Sequence, residues 1–430
     1  AGRVESRGRE GGFETPLPIS GPRGAQSHLT KRKNQPRATS ARTSLKKKNS
    51  PTLWPARSAK PLDRKRNPNP RHRRVILLKR NLDPMEEEPS LYQRRTKMKV
   101  FDLHCDTLSE LRYAEKAGAP KSFAQNDLHI DLQKLKKGDY MLQCFAAFVN
   151  LGDKTPGADP LVTALEEIDV FKRIMEKYPE DIAPVYQPSD IRKNAAEGKI
   201  SGMLTIEEGG CCKGSIGVLR RMYELGVRMM TLTWNHENEL ASPNVVPGGG
   251  HNIWPCAPNT ETGLKEKGFE FLAEMERLHI IADVSHLSDK GFWDIVEHST
   301  RPFAASHSNC RALAPHCRNL TDEMIRALAN KGGLVGLNYC SGFLDNQPEE
   351  KLCRSTTALM AKHAAHFKQV GGIEIIGLGS DFDGIGGKLE MDDCSKLPLL
   401  ADALRREGFT EDEVEAIFYR NARRFFEENL

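Results

Sequence analysis

From residue 98 to the C-terminus one pattern recurs eight times: a short β-branched or small apolar run, followed by a stretch of helical periodicity or by a long loop. The runs fall at 99–103, 141–150, 200–206, 227–233, 280–284, 302–306, 333–338 and 374–379. Apolar residues return at helical spacing between many of them, at 161–177, 214–225, 263–278, 321–331 and 356–370. Strands alternating with helices predict an α/β fold, and eight of them over this length predict a TIM-like (β/α)8 barrel with insertions. The side chains able to do chemistry come directly after the runs: His104 and Asp106, Glu208, His236, His286, His307, and Asp381 with Asp383. In a barrel these are the C-terminal strand ends, where the loops converge on one site. A doubly wound open sheet would need a Gly-rich phosphate loop opening a helix, whereas Gly248-Gly249-Gly250 sits in a Pro/Asn-rich stretch and reads as a flexible loop.

Charge divides the chain in two. Residues 1–97 hold 25 Lys+Arg against 8 Asp+Glu, and residues 98–430 hold 38 against 50. The basic part is rich in Pro, Ser, Gly and Asn without apolar periodicity, which predicts a disordered extension ahead of one barrel domain at 98–430. Its Lys31-Arg32-Lys33, Lys46-Lys47-Lys48 and Arg64-Lys65-Arg66 runs would suit an arm for nucleic acid, but Trp54 is its only Trp and no aromatics interleave to stack bases. We read it as lying outside the functional domain, with Met98 as a natural start and no nucleic-acid partner. Its longest apolar run, Val75-Ile76-Leu77-Leu78, is far shorter than the ~18 residues of a membrane span or the 7–15 residues of a signal-peptide core. Neither membrane nor export is expected. Ten Cys without a Cys-x-x-Cys then predict free, mostly buried thiols in a reducing, cytoplasmic setting and no structural zinc finger.

His104-Cys105-Asp106 sets two ligand-type side chains at i and i+2, on one side of an extended strand. Glu208 closes Thr205-Ile206-Glu207-Glu208, where a carboxylate at the mouth of a buried strand needs a cation or hydrogen-bond donors, and its two oxygens could bridge two ions. His286 and His307 each end a run otherwise small or apolar. One such histidine is ordinarily a satisfied core residue; two at equivalent strand ends, with the acidic groups, point to a metal centre. Imidazole and carboxylate ligands without thiolate suit Zn2+, with Mn2+ or Co2+ as alternatives. A pair of ions sharing a hydroxide implies hydrolysis. His363 and His366, at i and i+3 of a helical stretch, read as lining a solvated or partner face, and Asp283 reads as facing away from His286 to hold structure.

At these residues the chain resembles the membrane (renal) dipeptidase family of zinc dipeptidases, with an amidohydrolase-type barrel, and more closely its soluble bacterial members. The resemblance runs from Met98 to about Phe426. It rests on Phe101-Asp102-Leu103-His104-Cys105-Asp106-Thr107, Glu208-Gly209-Gly210, Asp283-Val284-Ser285-His286, Ser306-His307-Ser308, Arg318-Asn319 and Gly379-Ser380-Asp381-Phe382-Asp383-Gly384. It implies two zinc ions per chain, one held by His104, Asp106 and Glu208, the other by Glu208, His286 and His307. It further implies that Asp381 handles the proton of a metal-bridging hydroxide and that Arg318 grips the C-terminal carboxylate of a dipeptide, D-configured residues included. The family's substrate-polarising His has Trp234 as its direct counterpart, with His236 as a candidate two residues on. The family's Asn-Phe-Tyr stands as Asn338-Tyr339-Cys340, which makes Tyr339 the candidate substrate-facing tyrosine. The expected function is a metallo-dipeptidase acting on small dipeptides, with a homodimer allowed. The alternatives are another amidohydrolase-type activity, such as N-acyl amino acid deacylation, and nucleic-acid binding through the basic arm. The first motif is His-x-Asp rather than the His-x-His of such amidohydrolases, which favours the dipeptidase.

Overall fold

The computed structural model describes residues 98–244 and 256–430. The expectations for 1–97 and Gly248-Gly249-Gly250 lie outside them. The described residues form nine strands: β1 (Val100–Asp102), β2 (Tyr140–Phe148), β3 (Ile182–Pro184), β4 (Ile200–Glu207), β5 (Val227–Thr231), β6 (Ile281–Asp283), β7 (Ala304–Ala305), β8 (Leu334–Leu337) and β9 (Ile376–Leu378). All pair in parallel, in the order β2-β1-β9-β8-β7-β6-β5-β4, and β2 pairs with β4 to close an eight-stranded barrel. The remaining strand, β3, adds onto the start of β4 outside the closed ring. The eight predicted runs are the eight barrel strands.

Barrel strands buried on both faces need apolar residues on both, and two cores result. Inward-facing Leu103, Met203, Met229, Ile281 and Leu334 fill the lower barrel with Phe101, whose ring stacks on Phe426 of the C-terminal helix Asn421–Asn429 at 5.2 Å. Alternate residues, such as Leu204, Ile206, Met230 and Val335, pack outward against the surrounding helices. The helices start where capping chemistry dictates: Asp159, Ser215, Ser288, Thr321 and Thr356 each accept a backbone N–H of the first turn. No helix among the described residues is long and apolar enough to cross a membrane. One departure concerns the thiols: Cys256 and Cys317 form a disulfide, tying the segment before the helix Glu266–Leu278 to the residue preceding Arg318. Free thiols are found at the other eight cysteines.

Candidate active site

The polar strand ends converge. His104 follows β1, Glu207 ends β4, His286 follows β6, His307 follows β7 and Asp381 follows β9, all in the barrel mouth. His104 Nε2 lies 3.4 Å from Asp106 Oδ2 and 3.3 Å from Glu207 Oε2. The other Glu207 oxygen, Oε1, lies 3.0 Å from His286 Nε2 and 3.6 Å from His307 Nε2, and the two imidazole nitrogens are 3.0 Å apart. Two three-ligand sets, His104/Asp106/Glu207 and Glu207/His286/His307, therefore share one carboxylate. Asp381 Oδ1 completes the ring 3.9 Å from His104 Nε2.

The carboxylate common to both groups is that of Glu207, whereas the sequence pointed to Glu208. Strand β4 runs through Glu207, and its side chain falls on the inward parity of Met203 and Thr205. Glu208 then turns away with φ 99°. Its carboxylate accepts the N–H groups of Gly210 (2.7 Å) and Trp234 (2.9 Å) and the side-chain amide of Asn238, binding the β5 loop to the β4 loop. His286 (φ 69°) and Asp381 (φ 62°) share the left-handed conformation. Such strain in non-glycine residues clusters where a site over-determines the backbone. Gly384 has the same origin, since a Cβ there would run into the carboxylates of Asp106 and Asp381.

The electrostatics are those of a cation site. Burial pushes the Glu207 carboxyl well up, with His104 opposing. Burial works to lower His104, but the neighbouring charges of Glu207 and Asp106 overcome it and raise the imidazole well above its ordinary value. Burial, then His104 and Arg318, hold His307 well below its own. A cluster of buried lone pairs thus competes for positive charge. Among the described residues, His104 Nε2 and Asp106 Oδ1 are buried without a hydrogen-bond partner, a costly arrangement that a divalent cation relieves, and the donor set fits such an ion. Burial also raises Asp381, while Asn338 Nδ2 donates to its Oδ2 at 2.9 Å.

Arg318 is buried against this ring. Its Nη2 donates to the His307 carbonyl (3.1 Å) and its Nη1 to Ser308 Oγ (3.4 Å), its guanidinium faces the Phe343 ring at 5.3 Å, and its Nε has no hydrogen-bond partner among the described residues. Tyr339 is not substrate-facing. It lies in the outer core, edge-on to Phe382 at 5.5 Å, because alternation after β8 turns it away; half-buried Cys340 instead comes within electrostatic reach of Asp381 and Arg318. The His236 ring lies against Gly152 in the loop after β2, with Trp234 close to both it (5.9 Å) and His286 (6.0 Å). His236 is thus outside the ligand sets. Asp383 accepts Thr107 Oγ1 and the His129 N–H, each at 2.6 Å, as a structural tie. His363 is buried, not on a solvated face: its Nδ1 accepts the Cys310 N–H (3.1 Å) and its Nε2 meets the Leu344 carbonyl (3.0 Å). Asp283 holds structure as expected, accepting hydrogen bonds from Thr231, Ser285 and Ser306. It shares the inward parity of Ile281 and lies inside the barrel beneath the histidines.

Comparison with known proteins meets this geometry. The family described as membrane dipeptidase, peptidase family M19, matches residues 92–429. A Schizosaccharomyces pombe protein described as an uncharacterized dipeptidase is 32% identical over 361 residues, 79% of this chain and 84% of its own. An uncharacterized Klebsiella pneumoniae protein encoded in the pqqA 5' region is 32% identical over 267 residues, covering 62% of this chain and 95% of its own. Among solved structures, a metallopeptidase from Rhodobacter sphaeroides liganded with a phosphinate mimic of the dipeptide L-Ala-D-Ala superposes with a TM-score of 0.70 at 25% identity, over 78% of this chain and 100% of that one.

Proposed function

The chain belongs to the membrane dipeptidase family and is a metal-dependent dipeptidase; from that premise we propose that it hydrolyses dipeptides at a binuclear zinc centre bridged by Glu207. The observation that carries the proposal is the division of labour between the two Glu207 oxygens, one toward His104 and the other toward His286 and His307. His104, Asp106 and Glu207 would hold one ion, and Glu207, His286 and His307 the other. Ions bound there supply an activated water and a polarised scissile carbonyl.

The chain's own residues do the rest. Asp381, fixed by Asn338 and adjoining His104, holds a proton at its Oδ1 and passes it to the leaving amine. Arg318 offers its Nε–H to the free carboxylate of a two-residue substrate, an anchor that excludes longer peptides. With Cys340 rather than Tyr339 toward the mouth, the side-chain pocket is less crowded by aromatic surface. The ligand of the Rhodobacter relative supports acceptance of a C-terminal D-residue.

Zinc content and hydrolysis of an L-Xaa-L-Xaa and L-Xaa-D-Xaa panel test this. About two ions per chain and metal-dependent cleavage, both lost in Glu207→Ala, are expected. Two ions without dipeptide cleavage would move the substrate to another amide, and cleavage that survives Glu207→Ala would reject the bridge.

A further inference from the structure

Beneath the histidines, three adjacent strands each contribute one buried polar side chain: Thr231 at the end of β5, Asp283 at the end of β6 and Ser306 just after β7. The Asp283 carboxylate accepts four hydrogen bonds. Its Oδ1 receives the N–H groups of Ser285 (3.0 Å) and Ser306 (2.9 Å); its Oδ2 receives the hydroxyls of Thr231 (2.9 Å) and Ser306 (2.5 Å). Ser306 Oγ also lies 2.7 Å from His307 Nδ1.

A hydroxyl has one proton to give, and an ionised carboxylate has none. With the Ser306 proton directed at Asp283, the contact to His307 is a hydrogen bond only if Nδ1 carries the hydrogen. The neutral ring then presents its lone pair at Nε2, the atom 3.6 Å from Glu207 and 3.0 Å from His286 Nε2. We infer that Asp283, acting through the Ser306 hydroxyl, is a positioning residue that sets His307 in its Nε2-ligating tautomer and orients the ring for the metal it shares with Glu207 and His286. The Ser285 hydroxyl helps to fix the same backbone, accepting the His307 N–H at 3.1 Å. At His286 the corresponding group is the Asn235 amide oxygen, 2.9 Å from Nδ1, so the two imidazoles are set alike by different means. A carboxylate behind a ligating histidine raises its basicity as well as fixing its tautomer.

This rests on the binuclear reading above, and the test separates the two. Zinc is titrated out of the wild type and of three variants by a competing chelator, and each metal-free protein is also unfolded in urea. Asp283→Asn and Ser306→Ala are expected to release one of the two ions about 10- to 100-fold more readily, the other ion being unaffected. Thr231→Val removes a hydrogen bond from the same carboxylate without touching the Ser306–His307 contact. It is expected to lose stability while keeping both affinities. Wild-type affinities in Asp283→Asn and Ser306→Ala, or an equal loss in Thr231→Val, would overturn the inference and leave the binuclear centre intact. A wild-type chain that binds no zinc would overturn both.

Discussion

Adjacent carboxylates at the end of β4 have opposite duties. Glu207 faces three imidazoles; Glu208 is held by the donors of Gly210, Trp234 and Asn238, and burial still raises it to about 7. Glu207→Gln is therefore expected to lower metal affinity by roughly 100-fold or more, while Glu208→Gln, which keeps one acceptor oxygen, leaves two ions in place; equilibrium dialysis measures both. The figure for Glu207 is the larger because outer partners of a ligand alone carry about 10–100-fold. The offset of one position between Glu208 and the inward-facing carboxylate has a physical cause. A strand taken to end at Ile206 puts Glu208 at its mouth, whereas the alternation Met203, Thr205, Glu207 places the preceding residue inside. His104, Asp106, His286 and His307 come together in the barrel mouth at the strand ends where the sequence placed them. Nothing local marked His363 as buried: its place is set by the Cys310 and Leu344 backbone, distant in sequence. Burial lowers His363 to about 4, so between that value and about 6.5 the unfolded chain binds the extra proton. Its stabilisation is complete above pH about 6.5 and is lost as the pH falls toward 4, by on the order of 2–3 kcal/mol. Urea unfolding across this window should show a shallower acid loss in His363→Gln than in the wild type.

At the scale of elements, close approach of strands governs what is tolerated. A Cβ on Gly336 in β8 or on Gly379 after β9 would overlap the carbonyl of Ser306, the residue that carries the Asp283 contact to His307. Gly336→Ala is expected to cost about 1–3 kcal/mol of stability, the range for overpacking, and to weaken metal retention as well; urea midpoints and zinc titration check the two parts. The Cys256–Cys317 disulfide acts on the other side of Arg318. Its reduction is expected to remove about 2–4 kcal/mol and to raise KM more than it lowers kcat, because the loop that presents the guanidinium loses its tether. Cys256→Ser should reproduce both effects and be indifferent to reductant. The eight barrel strands were legible from composition because parallel strands buried on both faces read as continuous apolar runs. Strand β3 was not, being three residues of Ile-Ala-Pro whose pairing depends on β4. The disulfide was equally hidden, since residues 61 apart meet only through the fold.

At the scale of the molecule, the match to the family spans 92–429 and the strongly basic segment lies almost wholly outside it. A chain comprising residues 92–430 is expected to retain its full metal content and dipeptide kcat/KM; a large loss of either would bring the basic segment into the functional unit. The barrel brings the ends of five strands to one mouth, where the Glu207 carboxylate is common to both groups able to hold an ion and Arg318 donates to the His307 carbonyl beside them. Anomalous diffraction from crystals of the zinc-loaded protein tests this most directly. Two peaks are predicted, one among His104, Asp106 and Glu207, the other among Glu207, His286 and His307. A single peak, or a peak coordinated by Glu208, would contradict the account.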